Sequence, residues 1–277
     1  MSIRIFLLIL FITLNSQANE RIISLSPSLT ELVFALEKGE SLVGTSSYSL
    51  HPKEALELPI IGGYRNPNIE RILALYPTLV IGQDFSQNTL EKLKYFKIKT
   101  LMLNLKTIKS IKKSIAVLAK KIDSKKGSKL IQDIEDAVQN ASKNQTPHSV
   151  MIVYGLREDL RSSTYIAGHE IFFEDIIELS ENTNAYRASS ASQPVLNYEN
   201  IIALNPDQII ILHSHATEGN VDVKKALKNW YSLPTNASRN GNISIVDEDY
   251  LHIPSHRVAL TIKRLSNEMN KNYNSGN

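Results

Sequence analysis

Seven histidines, eleven tyrosines and no cysteine bound the chemistry open to this 277-residue chain. The most suggestive spacing is His213-Ser214-His215. Alternate side chains of an extended segment share a side, so these two imidazoles can face one guest or one metal ion. His252 and His256 lie close together further on. Histidine and tyrosine ligate haem iron and chelated metals. His213 and His215 with Asp84 or Asp249 would also give a hydrolytic zinc site its three protein ligands. That alternative, an exported zinc-dependent hydrolase, lacks its usual companions. There is no His-Glu-x-x-His, no Gly-x-Ser-x-Gly elbow and no glycine-rich phosphate loop. The absence of cysteine removes disulfides, thiolate zinc sites, cysteine nucleophiles and iron–sulfur clusters. A formal charge of +3 is too small to mark a nucleic-acid partner.

The secondary structure that would hold these groups is expected only after residue 18. Arg4 is followed by an apolar segment, Ile5 to Leu14, and then by Asn15-Ser16-Gln17-Ala18. A charged start, a short apolar core and a small-x-small end describe a secretory signal cut after Ala18. The segment is shorter than the roughly 20 residues that span a bilayer. No Cys follows it, so a lipid anchor is not expected.

From Arg21 onward short β-rich runs alternate with helical patterns, which predicts an α/β fold with parallel or mixed sheets. Ile22–Leu25, Leu42–Thr45 and Thr78–Ile81 read as strands in the first half. Ser28 and Glu31 have the spacing of a capping box for the first helix. In the second half Ser149–Tyr154, Gln208–Leu212 and Asn242–Val246 read as strands, and Val258–Met269 as a closing helix. Between the halves, Ile108, Ile111, Ile115, Leu118 and Ile122 form one apolar stripe, continued by Leu130, Ile131, Ile134 and Val138. Ten lysines between Lys106 and Lys143 lie mostly off that stripe and read as a solvated face. The expected division is a signal at 1–18, lobes at 19–107 and 147–277, and a continuous helical bridge at 108–146.

An internal repeat relates the lobes. Residues 68–81 and 197–210 match at seven of fourteen positions with a constant offset of 129. Each copy opens on Asn, runs a short helix and stops it at Pro before a strand. Glu70 and Glu199 fall in the first turns, where a carboxylate favours the helix dipole. Dipole stabilisation explains one such Glu; two at matched positions make a paired external contact an equal alternative. The same offset maps Asp84 onto His213 and Ser86 onto His215, which would set Asp84 and His213 facing each other across one cleft.

The run Arg21-Ile-Ile-Ser-Leu-Ser-Pro-Ser-Leu-Thr-Glu-Leu-Val-Phe-Ala-Leu36, then Val43-Gly-Thr-Ser-Ser-Tyr48, then both Asn-x-Glu…Ala-Leu-x-Pro motifs, resembles the class III periplasmic binding proteins. These receptors deliver cobalamin, ferric siderophores or haem to ABC importers. The resemblance implies two Rossmann-like lobes joined by a helical bridge, with ligand held in the cleft between them. It implies ligand-stacking roles for Tyr48 and Tyr64, with Arg65 beside the latter, and a cleft-facing position for His252. It also implies that Glu70 and Glu199 dock onto a membrane permease dimer. A metal-bearing cargo, reached through His213, His215 or His252, is expected, with no intrinsic cofactor and no catalytic residue. The only tryptophan, Trp230, reads as a packing residue as readily as a ligand contact. The protein is expected to be periplasmic and monomeric.

Overall fold

The fold is described from a computed structural model, which covers residues 20–161, 163–188, 192–213 and 221–271. The expected signal at 1–18 and His215 lie outside these residues.

Two parallel-cored sheets carry the molecule. The first is built from β1 (Ile22–Ser24), β2 (Leu42–Thr45), β3 (Leu79–Gly82) and β4 (Lys99–Met102), interleaved with α1 (Pro27–Ala35), α2 (Ile69–Ala74) and α3 (Gln87–Tyr95). Its strand order is β2-β1-β3-β4, all parallel. Two helices follow, α4 (Ile108–Lys121) and α5 (Gly127–Gln139). The second lobe then runs β5 (Ser149–Tyr154), β6 (Thr164–Ile166), α6 (Phe172–Leu179), β7 (Thr183–Asn184), β8 (Val195–Leu196), α7 (Tyr198–Leu204) and β9 (Gln208–Leu212). It finishes with α8 (Val223–Tyr231), α9 (Asn236–Arg239), β10 (Ile243–Val246) and α10 (Val258–Met269). Its parallel strands follow the order β7-β5-β9-β10, the same winding as the first sheet. β6 joins the far end of β5 antiparallel and carries β8 at the edge.

Local chemistry explains these elements. β3 and β9 are buried at every position, and β1 likewise, as strands covered on both faces require. Both repeated helices start as the sequence predicts. Asn68 Oδ1 accepts the Arg71 N–H at 2.9 Å, and Asn197 Oδ1 accepts the Asn200 N–H at 2.8 Å. The first helix starts differently. Ser26, not Ser28, is its N-cap, with Pro27 at the first helical position.

The expected continuous bridge is two helices. The chain breaks at Ile122–Lys126, where Asp123 adopts φ +50°, and α5 folds back onto α4. The stripe predicted from the isoleucines is real, but it serves both lobes. Ile111, Ile115 and Leu118 share one buried cluster with Ile22 and Leu32 of the first lobe and with Ile152, Phe172 and Val258 of the second. Asp175 of α6 accepts the Ile108 N–H at 2.6 Å, so the second lobe also caps the start of α4. The core is therefore continuous between the lobes.

One polar contact crosses that core. Glu31, displaced from its expected capping role, is 3% exposed and faces Arg257 at the start of α10, which is 8% exposed. Arg257 Nε donates to Glu31 Oε2 at 3.0 Å, and its Nη2 bonds Glu31 Oε1. Ser255 Oγ donates to Glu31 Oε2 at 2.6 Å, while Arg257 Nη1 reaches both oxygens of Asp249. A buried pair held this way is strongly destabilising when one member is removed, because the other charge is left desolvated. Glu31→Ala is expected to lower the unfolding free energy by about 3–5 kcal/mol in urea denaturation. The matched double change Glu31→Leu with Arg257→Met should recover most of that loss.

His256 sits against the same cluster. Burial, with Arg257 and His51 nearby and only Asp133 opposing, pulls its imidazole pKa down from 6.5 to about 4. The folded protein thus holds His256 neutral while the unfolded chain takes up a proton below pH 6.5. Stability contributed by this group is complete above that value and is lost as pH falls from 6.5 toward 4, by at most about 3 kcal/mol. His256→Gln is expected to flatten the acid side of the melting-temperature profile between those limits.

Candidate functional site

The strand order reverses between β1 and β3 in the first sheet and between β5 and β9 in the second. Open parallel sheets bind ligands beyond the carboxyl ends of their strands at such reversals. A cavity of about 540 Å³ opens there, lined from both lobes. This is an ordinary ligand-pocket size.

The first lobe supplies an aromatic wall. Tyr48, in the loop after β2, is 62% exposed with its backbone at φ +65°. The left-handed region is costly for a bulky residue, so the surrounding loop must hold it there. The Ser47 N–H donates to Gly62 O at 2.9 Å, tying this loop to the next one. Gly62 has φ +119°, a conformation reserved for glycine, and its pairing with Pro67 closes a tight loop that presents Tyr64 and Arg65. Tyr64 meets Phe85 edge to face, with ring centroids 5.6 Å apart. The Arg65 guanidinium lies 5.6 Å from the Tyr64 ring centroid, and its Nε donates to the Tyr64 hydroxyl at 3.3 Å. Tyr48, Leu50, Tyr64 and Phe85 therefore offer a large apolar surface to solvent in one place.

The floor is the Glu31–Arg257–Asp249 cluster, and the second lobe adds His252, Ile253, Pro254 and Gln193. Behind them stands Tyr154, with its ring centroid 6.0 Å from that of His252 and 5.6 Å from that of Phe173. Burial pushes the Tyr154 phenol pKa up, although a hydrogen bond with Gln193 opposes it. It stays a neutral hydroxyl across the physiological range, backing the wall without adding charge.

Of the residues singled out in the sequence, Tyr48, Tyr64, Arg65 and His252 line this cavity, and Asp84 and His213 do not. Asp84 turns away because its carboxylate accepts the Phe85 N–H at 2.9 Å and pairs with Lys106 at 2.6 Å. The turn consequently aims Phe85 inward. His213 is 3% exposed, with its N–H bonded to Val246 O at 2.8 Å, and is not among the residues lining the cavity. The facing pair inferred from the repeat offset is thus not formed. Among the described residues no three His, Asp or Glu side chains converge as a metal site. Trp230 is fully buried in the second lobe's own cluster. Glu70 and Glu199 are exposed on α2 and α7, each next to its Asn N-cap.

Sequence reasoning missed Leu50, His51, Phe85, Gln193 and the pairing of Glu31 with Arg257 in the floor. Phe85 was one residue from the position chosen, and a large aromatic beside a strand end was its available signal. Glu31 and Arg257 are 226 residues apart and gave no local sign of partnership.

Comparison with known proteins agrees with this architecture. A family model described as periplasmic binding protein matches residues 22–250. A vitamin B12-binding protein of Vibrio parahaemolyticus is 29% identical over 251 residues, covering 89% of this chain and 88% of the relative. A vitamin B12-binding protein of Yersinia pseudotuberculosis is 27% identical, covering 96% and 91%. Among solved structures, the periplasmic haem-binding protein HutB of Vibrio cholerae superimposes with a TM-score of 0.75 at 23% identity, covering 91% of this chain and 99% of its own. The vitamin B12-binding protein BtuF of Vibrio cholerae gives 0.72 at 24% identity, covering 90% and 96%. These likenesses lend no support to the hydrolase alternative. The repeated winding, the cleft at both strand reversals and the matched family model lead to one conclusion: the chain belongs to the periplasmic binding protein family.

Proposed function

We propose that this chain is the periplasmic solute-binding component of an ABC importer, and that its cargo is a large metal-bearing macrocycle, cobalamin foremost. The aromatic wall of Tyr48, Tyr64 and Phe85 opposite His252 is the observation that carries this reading. Flat apolar faces suit a ring system that brings its own chelated metal. His51 and His252 both line the cleft, so a ring cargo can also be met by an imidazole from either lobe. The curated relatives named as vitamin B12-binding, which match nearly full length, favour cobalamin. The metal belongs to the cargo; no intrinsic cofactor and no catalytic step are invoked. A ferric siderophore or haem is the competing cargo.

Export by the 1–18 segment with cleavage after Ala18, a monomeric receptor, and docking through Glu70 and Glu199 complete the proposal. Both glutamates are exposed at the starts of matched helices, one per lobe, which suits a two-sided permease. The lobes share a core through α4 and α5, so capture is expected to involve only modest closure.

Calorimetric titration of the purified protein should give saturable binding of cyanocobalamin, weakened at least about tenfold by Tyr64→Ala. A Soret shift with haem, together with no heat from cobalamin, would reverse the cargo assignment. For docking, Glu70→Arg combined with Glu199→Arg should abolish uptake in cells while the purified receptor keeps its ligand affinity. Loss of ligand affinity in that double variant would refute the docking role.

A further inference from the structure

The end of the first lobe opposite the cleft carries three exposed aromatics that nothing in ligand capture uses. Tyr95 is 87% exposed, Tyr76 79% and Phe96 54%. The strand register brings them together. Ile22 aligns with Leu79, and Leu79 with Lys99, so the α2–β3 and α3–β4 turns lie side by side on neighbouring strands. Lysines surround them. Residues 92–99 hold four lysines and no acid, and Lys94, Lys97 and Lys99 are exposed without a carboxylate partner among the described residues.

The second lobe shows that the fold does not require this composition. Its α7–β9 turn places Asn205 at φ +47°, where the first lobe has Tyr76 at φ +46°. Its α9–β10 turn places Gly241 at φ +66°, where the first lobe has Lys97 at φ +60°. Asn and Gly are the residues that accept left-handed backbone at least cost. At both turns the first lobe instead sets an exposed tyrosine or lysine in the disfavoured conformation.

The charge of this end indicates what it faces. The Arg21 guanidinium donates to Leu75 O and Tyr76 O at 2.7 and 3.1 Å, so the incoming segment enters beside Tyr76. Arg21 thereby adds an exposed cation beside the lysines, and a basic surface bearing exposed aromatic rings complements an anionic one.

We propose that the Tyr76–Tyr95–Phe96 surface with Lys94, Lys97 and Lys99 rests on an anionic phospholipid surface. Aromatic rings settle at headgroup depth and lysines meet the lipid phosphates. Because Tyr64 and Phe85 lie at the other end of the same strands, this orientation keeps the cleft turned toward solution. Lipid contact and permease docking are then alternating states.

The test is co-sedimentation of the purified exported protein with vesicles of phosphatidylcholine, with or without phosphatidylglycerol, at low and high salt. Binding is expected only with phosphatidylglycerol and should fall with salt. Tyr76→Asn/Tyr95→Ser/Phe96→Ser should reduce partitioning at least about tenfold, and each of Lys94→Gln, Lys97→Gly and Lys99→Gln about fivefold. Asn and Gly suit the two left-handed sites, so an unchanged melting temperature and cyanocobalamin affinity verify folding. Equal binding to both vesicle types, or indifference to the aromatic variant, would overturn the proposal. So would a dimer seen in sedimentation velocity that the aromatic variant abolishes without any vesicle binding.

Discussion

A carboxylate and a guanidinium buried where the two lobes meet organise this molecule. Glu31 belongs to the first helix and Arg257 to the start of the last, and neither can be solvated where it sits. Each satisfies the other, and Ser255 and Asp249 take up the remaining hydrogen-bonding capacity. The pair constrains more than its own neighbourhood. It forms the cleft floor, so the lobe spacing that admits a ligand is also the spacing that keeps two charges paired. An apolar contact at this junction would tolerate sliding; a bidentate contact has one geometry. Together with the shared core along α4 and α5, it makes the separation between Glu70 and Glu199 a property of the fold.

Much of this was legible in the sequence, and the failures share a cause. Strands such as Leu42–Thr45 and helices such as Val258–Met269 are local patterns, and the sequence places them correctly. The repeat at 68–81 and 197–210 located both Asn caps and both exposed glutamates, because capping is decided within four residues. Glu31 was misread since a box-like spacing cannot reveal a partner 226 residues away. The bridge was read as continuous because its apolar stripe persists through Asp123, and only the backbone shows the reversal. The offset sets Asp84 at the cleft, but its carboxylate is taken up by the Phe85 N–H and by Lys106, contacts that an offset cannot show.

The two lobes also illustrate how a duplicated plan diverges. Winding, caps and left-handed turn positions persist, since they are set by backbone geometry. Side chains at strand ends are free to differ. The first lobe spends its loops on Tyr48, Tyr64 and Phe85, whereas the second offers His252, Ile253 and Gln193 backed by Tyr154. The cleft is consequently asymmetric, with one flat wall and one more polar wall, suited to a guest whose two faces differ.

The long reach between Glu31 and Arg257 has a kinetic side. No portion of the chain short of residue 257 can complete the interlobe contact, and contacts of such separation form late. α10 must also arrive before its packing against α5 and α6 closes the shared core. A chain emerging from synthesis therefore lacks this fastening until residue 257 has been made. Until then each lobe holds only its own buried clusters, so the floor of the cleft is the last part of the molecule to be set.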